Sequence, residues 1–310
     1  MKPTETFRNP IAPKGADPYL IRHGDMYYYC HSIGTGVAVR PCSNIHKITE
    51  NESTVVYRAP ETGAYSKEYW APELHFIYDS WYIYVATDDG DNCNHRMYVL
   101  KCTGDKPTDP FEMIGKITDP TDKWAIDGTV LCHNDKLYFI WSGWEGDENI
   151  AQNIYIAHMS SPTAIDGERV LLSVPEHDWE LRGGDPKINE GPSVLIKGNT
   201  THIVYSASGS WCDDYCLGIL TNRDGNILTP ASWTKSHEPI LSKTHESYGP
   251  GHNSFTTDFS GNDWIIYHAN ITSGSGWGGR SVRAQKVIWN VDMPRIGAPA
   301  SLNEELTIDA

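Results

Sequence analysis

The chain has 310 residues, 39% of them apolar, with 11 Trp and 17 Tyr against 6 Phe, and a formal charge of −15. That length is ample for a real core. The negative balance, with no run of Lys or Arg to offset it, argues against nucleic acid or an anionic membrane as partner and favours a neutral or cationic ligand.

The opening stretch MKPTETFRNPIAPKG has no apolar signal core, and no later segment approaches 18 uninterrupted apolar residues. A cytoplasmic enzyme and a secreted one with its signal trimmed both fit that pattern. The 27 Gly and 19 Pro are scattered along the chain, which predicts many short strands joined by tight turns. Seven cysteines, an odd number, exclude a complete disulfide framework within one chain. Cys212 and Cys216 sit four apart with no second Cys/His pair at zinc-like spacing, so buried free thiols are expected.

Five copies of one unit follow in order: ADPYLIRHGDMYYYC from Ala16, APELHFIYDSWYIYV from Ala71, IDGTVLCHNDKLYFIW from Ile126, NEGPSVLIKGNTTHIVYS from Asn189 and GHNSFTTDFSGNDWIIYH from Gly251. With Asp17, Glu73, Asp127, Glu190 and His252 as markers, the intervals are 56, 54, 63 and 62 residues. Each copy predicts two strands around a hairpin turn, with chain left over for two more, which makes one four-stranded blade. Five blades bury their faces against each other, so the expected fold is an all-β, five-bladed β-propeller spanning the whole chain as one domain.

The innermost strand of each blade then lines a central channel, and the markers at the strand starts project toward one axis. Any one of them alone reads most simply as a turn residue. Acids or a His in all five copies shift that reading toward a shared site. Asp17 precedes Pro18, which predicts an extended backbone there. Asp127 stands beside Ile126 and near Trp124, and Glu190 is followed by Gly191 and Pro192. Apolar framing of a carboxylate raises its pKa. Hydrolysis of a glycosidic bond needs a protonated acid at the leaving oxygen and, for direct attack by water, a carboxylate base on the opposite face of the sugar. Asp17, Asp127 and Glu190 supply these, with the third carboxylate holding the acid protonated through its charge.

The motifs ADPYLIR, WAPELH, AIDGTVL, NEGPSVL, GPGHNSF and GGRSVRAQKVIWN, in this order and spacing, resemble those of the glycoside hydrolase family 43 propellers over nearly the whole chain. The resemblance implies an inverting mechanism with Asp17 as general base, Glu190 as general acid and Asp127 as the carboxylate that tunes and orients Glu190. It also implies a wall tryptophan at Trp70, an arginine beside base and sugar at Arg280, and a histidine near the axis at His252, against which a structural calcium or similar ion often sits. No cofactor is required for the chemistry. The loop SGWEGDENIAQNIYIAHMSSP and the closing GWGGRSVRAQKVIWN resemble the exo-acting α-L-arabinofuranosidase branch, with plant-type polysaccharide or oligosaccharide as substrate. β-Xylosidase or arabinoxylan arabinofuranohydrolase activity on the same scaffold, and a non-catalytic sugar-binding propeller, are the alternatives.

Overall fold

The computed structural model describes residues 4–309. Among them there is no α-helix, and strands carry the fold with four short 3₁₀ turns between them. Each predicted copy becomes the inner hairpin of one blade: Tyr19–His23 with Met26–Ser32, Lys67–Ile77 with Ser80–Asp88, Ala125–His133 with Lys136–Gly143, Lys187–Lys197 with Thr200–Ala207, and Tyr248–Thr257 with Asp263–Asn270. The turn chemistry is local. In blade three His133 pairs with Lys136 across Asn134 and Asp135, both left-handed at φ 50° and 60°, the primed geometry that matches strand twist.

Alternation along these strands buries one side chain set against each neighbouring blade, and the result is five apolar seams. Val39 and Ile83 join blades one and two; Tyr84 and Phe139 join two and three. Ile140 and Tyr205 join three and four; Leu217 and Tyr267 join four and five; Leu20 and Trp264 join five and one. A seam between the last blade and the first means that the ring is closed.

Hydrogen bonds close it as well. Blade five has three strands of its own, and its outer strand Arg280–Lys286 is extended by residues from the start of the chain. Ile11 N–H donates to the Val282 carbonyl, and Val282 N–H donates to that of Ala12, both at 2.9 Å. Thr4–Phe7 also pairs antiparallel with Leu306–Asp309. Blades one and two have four strands in simple order, and blades three and four touch through a short parallel contact of Ala151–Gln152 with Lys187–Ile188.

All seven cysteines are free, as the odd count required for at least one. Four are buried, but Cys93, in a short 3₁₀ turn, and Cys132, near the end of the strand Ala125–His133, are exposed.

Candidate active site

The inner strands share a defect that positions the site. Their pairing register breaks near the start: between Trp70 and Glu73, Ile126 and Thr129, Glu190 and Ser193, and Gly251 and Ser254. At the equivalent place in each blade one residue takes left-handed backbone: Asp17 at φ 48°, Ala71 at 42°, Asp127 at 56°, Gly191 at 56° and His252 at 45°. Such a bulge re-aims a side chain that regular alternation would send into a seam.

This geometry corrects two expectations. Asp17 is not held extended by Pro18; its backbone is left-handed at φ 48°. The five markers are also not in one phase. Asp127 and His252 are bulge residues and Asp17 takes the same left-handed backbone just ahead of its strand, whereas Glu190 lies one residue before the equivalent position and Glu73 two residues after it. Glu73 is buried with its Oε2 2.8 Å from His75 Nε2, away from the site. In blade four Gly191 takes the strained position, which a residue without Cβ occupies at least cost.

Asp17, Asp127, Glu190, His252, Arg280 and Trp70, the six side chains singled out from sequence, all line one cavity of about 430 Å³. His252 stands among the carboxylates: its Nδ1 is 3.3 Å from Asp17 Oδ1 and 3.9 Å from Asp127 Oδ2. Asp127 Oδ2 accepts the Gly191 N–H at 3.0 Å, a donor freed by the bulge, so it is tied to the strand that carries Glu190. Arg280 Nη1 lies 3.3 Å from Asp17 Oδ1, and its Nη2 donates to the Ser210 carbonyl at 3.1 Å.

Two further residues at this site were not singled out from sequence: Tyr215, outside the repeat, and His268, the last residue of the fifth copy. Tyr215 donates its hydroxyl to Glu190 Oε1 at 2.8 Å. His268 receives the Asp17 backbone N–H on Nδ1 at 3.1 Å and stacks on Tyr215 at 5.8 Å between ring centroids, 6° from parallel. One aromatic pair thus backs both carboxylates.

The electrostatics separate the acids. Burial works to raise the Asp17 pKa, but His252, His268 and Arg280 outweigh it and hold the carboxyl well below the usual carboxylate range. Burial, reinforced by the charges of Glu190 and Asp17, pushes Asp127 up to about 7 against the pull of His252. Glu190 is also raised, by burial first, with the Tyr215 hydrogen bond opposing. His252 is raised despite burial, because Asp17, Asp127 and Glu190 surround it with negative charge. Burial drives His268 down to about 3, so it is a neutral partner. Asp127 and Glu190 therefore titrate as a unit that keeps a proton near neutrality, beside an ionised Asp17. Both causes expected from the sequence, apolar framing and a neighbouring carboxylate, act here, and burial is the larger.

This predicts opposite effects on pH dependence. Asp127→Asn removes the like charge next to Glu190, so the high-pH limb of kcat/KM is expected to move to lower pH. Tyr215→Phe removes a bond that favours the carboxylate, so the same limb moves to higher pH, by about one pH unit for a charge-assisted bond. Profiles of both variants against the parent, on one substrate, check it.

The cavity walls are aromatic. Trp70, Trp124, Trp211 and Trp277 line it, whereas Trp144 is buried behind Trp124, stacked at 4.8 Å. Trp70 in turn lies on His95, with centroids 3.9 Å apart, and the buried His95 has Nδ1 2.8 Å from Asp88 Oδ2. The wall that faces the cavity is thus held from behind by the buried His95–Asp88 contact, with burial lowering the His95 pKa.

His252 also marks the place of the implied ion. A calcium site takes six to eight oxygen ligands. Among the described residues no group of three or more His, Cys, Asp or Glu is arranged to hold a metal. The protein groups at His252 do not by themselves fit such an ion, and no step below runs through one.

Known proteins resemble this chain over most of its length. The profile of glycosyl hydrolases family 43 matches residues 7–294. The chain is 35% identical, over 96% of its length, to an extracellular exo-α-(1→5)-L-arabinofuranosidase of Streptomyces avermitilis, and spans 65% of that protein. It is 32% identical to an enzyme of the same name from Streptomyces chartreusis, over 85% of this chain and 82% of that one. Among solved structures, an α-L-arabinofuranosidase from Lactobacillus brevis superposes with a TM-score of 0.89 at 31% identity, covering 96% of this chain and 98% of that one.

Proposed function

The chain belongs to glycosyl hydrolases family 43, and from that premise we propose that it is an inverting, exo-acting hydrolase that releases terminal α-L-arabinofuranosyl residues from arabinan or arabino-oligosaccharides. The observation that carries the reading is the split in proton affinity inside one aromatic-walled cavity. Asp17 stays ionised, while the Asp127 and Glu190 pair retains a proton. The relatives named above support the sugar.

In this reading Asp17 takes a proton from water as the water oxygen attacks the anomeric carbon. Glu190 gives its proton to the departing oxygen as the glycosidic bond breaks. Asp127, fixed by the Gly191 N–H, keeps the pair protonated before reaction. Arg280 and His252 hold the Asp17 carboxylate in place and ionised. The aromatic walls present flat apolar faces to sugar C–H groups.

NMR of the first product formed is expected to show inversion at the anomeric carbon. Early digests of linear arabinan should contain short sugar and almost no intermediate oligomers. Retention would make the base a nucleophile and overturn the roles. A ladder of products with a rapid fall in viscosity would replace exo action by endo action, and preference for a xylopyranoside would replace the sugar.

A further inference from the structure

A second cavity, of about 700 Å³, opens beside the first and shares its wall: Asp17, Glu68 and Trp70 line both. Its remaining lining comes from the chain before blade one, from blade one itself and from the start of blade two. The charges are unevenly placed. Both carboxylates of the lining belong to the shared wall, whereas the charged side chains found only in the second cavity are Lys14 and Arg40. In a chain of net charge −15 this is a local reversal of sign.

Neither cation has an acidic partner among the described residues. Lys14 is exposed. Arg40 is held by neutral oxygens: its Nε donates to Ser53 Oγ and its Nη1 to the Ile48 carbonyl, both at 2.9 Å. Ser53 Oγ is in turn 2.8 Å from His31 Nε2, and His31 Nδ1 faces the Ser32 carbonyl at 3.1 Å. A proton on Nδ1 satisfies that carbonyl and leaves Nε2 to accept the Ser53 hydroxyl, which is then free to accept from Arg40. Burial lowers the His31 pKa, in keeping with a neutral ring that adds no charge of its own. Tyr29 stacks on His31 at 5.4 Å and steadies the relay. The guanidinium is thus oriented in advance with donors left over, and its planar fork suits a carboxylate.

We propose that the second cavity is a subsite for a uronic acid carried by the polysaccharide from which the terminal sugar is cut. The neutral arabinosyl residue enters the cavity of the three acids, and the carboxylate of a neighbouring sugar lies against Arg40 and Lys14. This rests on the reading of the first cavity as an arabinofuranosidase site.

The test compares pectin-derived oligosaccharides bearing both a terminal arabinofuranosyl group and uronic acid with the same material after reduction of its carboxyl groups, and includes a nitrophenyl arabinofuranoside as reference. The parent enzyme is expected to favour the acidic form by about tenfold in kcat/KM, as one charge-assisted contact provides, and to lose the preference at high salt. Arg40→Gln and, independently, Lys14→Gln should bring the ratio of acidic to reduced substrate toward one. Lys14 makes no ion pair among the described residues, so its variant reports even if the Arg40 variant is destabilised. Equal rates on the acidic and reduced substrates in the parent, or unchanged ratios in both variants, overturn the subsite. Failure to cleave even the nitrophenyl arabinofuranoside overturns instead the functional reading on which it rests.

Discussion

Replacing Asp17 by Asn is expected to lower kcat/KM by about 10²- to 10⁴-fold on every substrate, whatever its leaving group. An amide cannot take a proton from water, and water must be activated in each turnover. The surroundings sharpen the effect. Arg280 and His252 both stand 3.3 Å from Asp17 Oδ1 and are arranged around a negative charge. With Asn in its place the Arg280 cation faces a neutral group, and His252 loses one of the carboxylates that raise its pKa. The loss should therefore appear in kcat with both a nitrophenyl glycoside and an arabino-oligosaccharide. A variant impaired on the oligosaccharide alone would assign Asp17 to the leaving group and exchange the two roles.

Glu190→Gln is expected to divide the substrates. A sugar alcohol is a poor leaving group and needs the proton, whereas a nitrophenolate departs nearly unaided. The acid's contribution, about 10²- to 10⁴-fold, should thus be lost mainly on arabino-oligosaccharide. Gln is close in shape to the protonated carboxyl and can still accept from the Tyr215 hydroxyl, so the pocket should persist and the deficit should be chemical. Comparing kcat/KM on the two substrates measures it. Equal loss on both would mean that Glu190 acts on water, and no loss on either would make the propeller a sugar-binding protein.

Much of this was legible from residues alone because the determinants are local. Two-residue turns such as Asn134 and Asp135 fix a hairpin within a few residues, and alternation between them says which side chains are buried. Five repeats of that pattern leave no stable arrangement except one in which each blade covers the next. Trp70, Arg280 and the acids were found because their neighbours in the chain carry recognisable motifs.

What the sequence by itself determined was therefore the inner hairpin of each blade, the number of blades though not the three strands of blade five, the closed ring and the residue types at its axis. The tertiary structure alone decided their phase and their chemistry. Pro18 favours an extended Asp17, yet its backbone in the ring is left-handed at φ 48°, the conformation that Asp127 and His252 share beside the same cavity. Glu73 shares the composition of the other markers but sits two residues past its bulge and pairs with His75 instead. Tyr215 lies just before the strand Cys216–Asn222, outside the repeat, and His268 ends the fifth copy where the other four copies carry no His, so only the folded ring brings them behind Glu190 and Asp17. The division of the carboxylates into base and acid follows the same logic. It depends on burial and on charges from blades distant in the chain, His252 above all, and such sums exist only once the blades have closed.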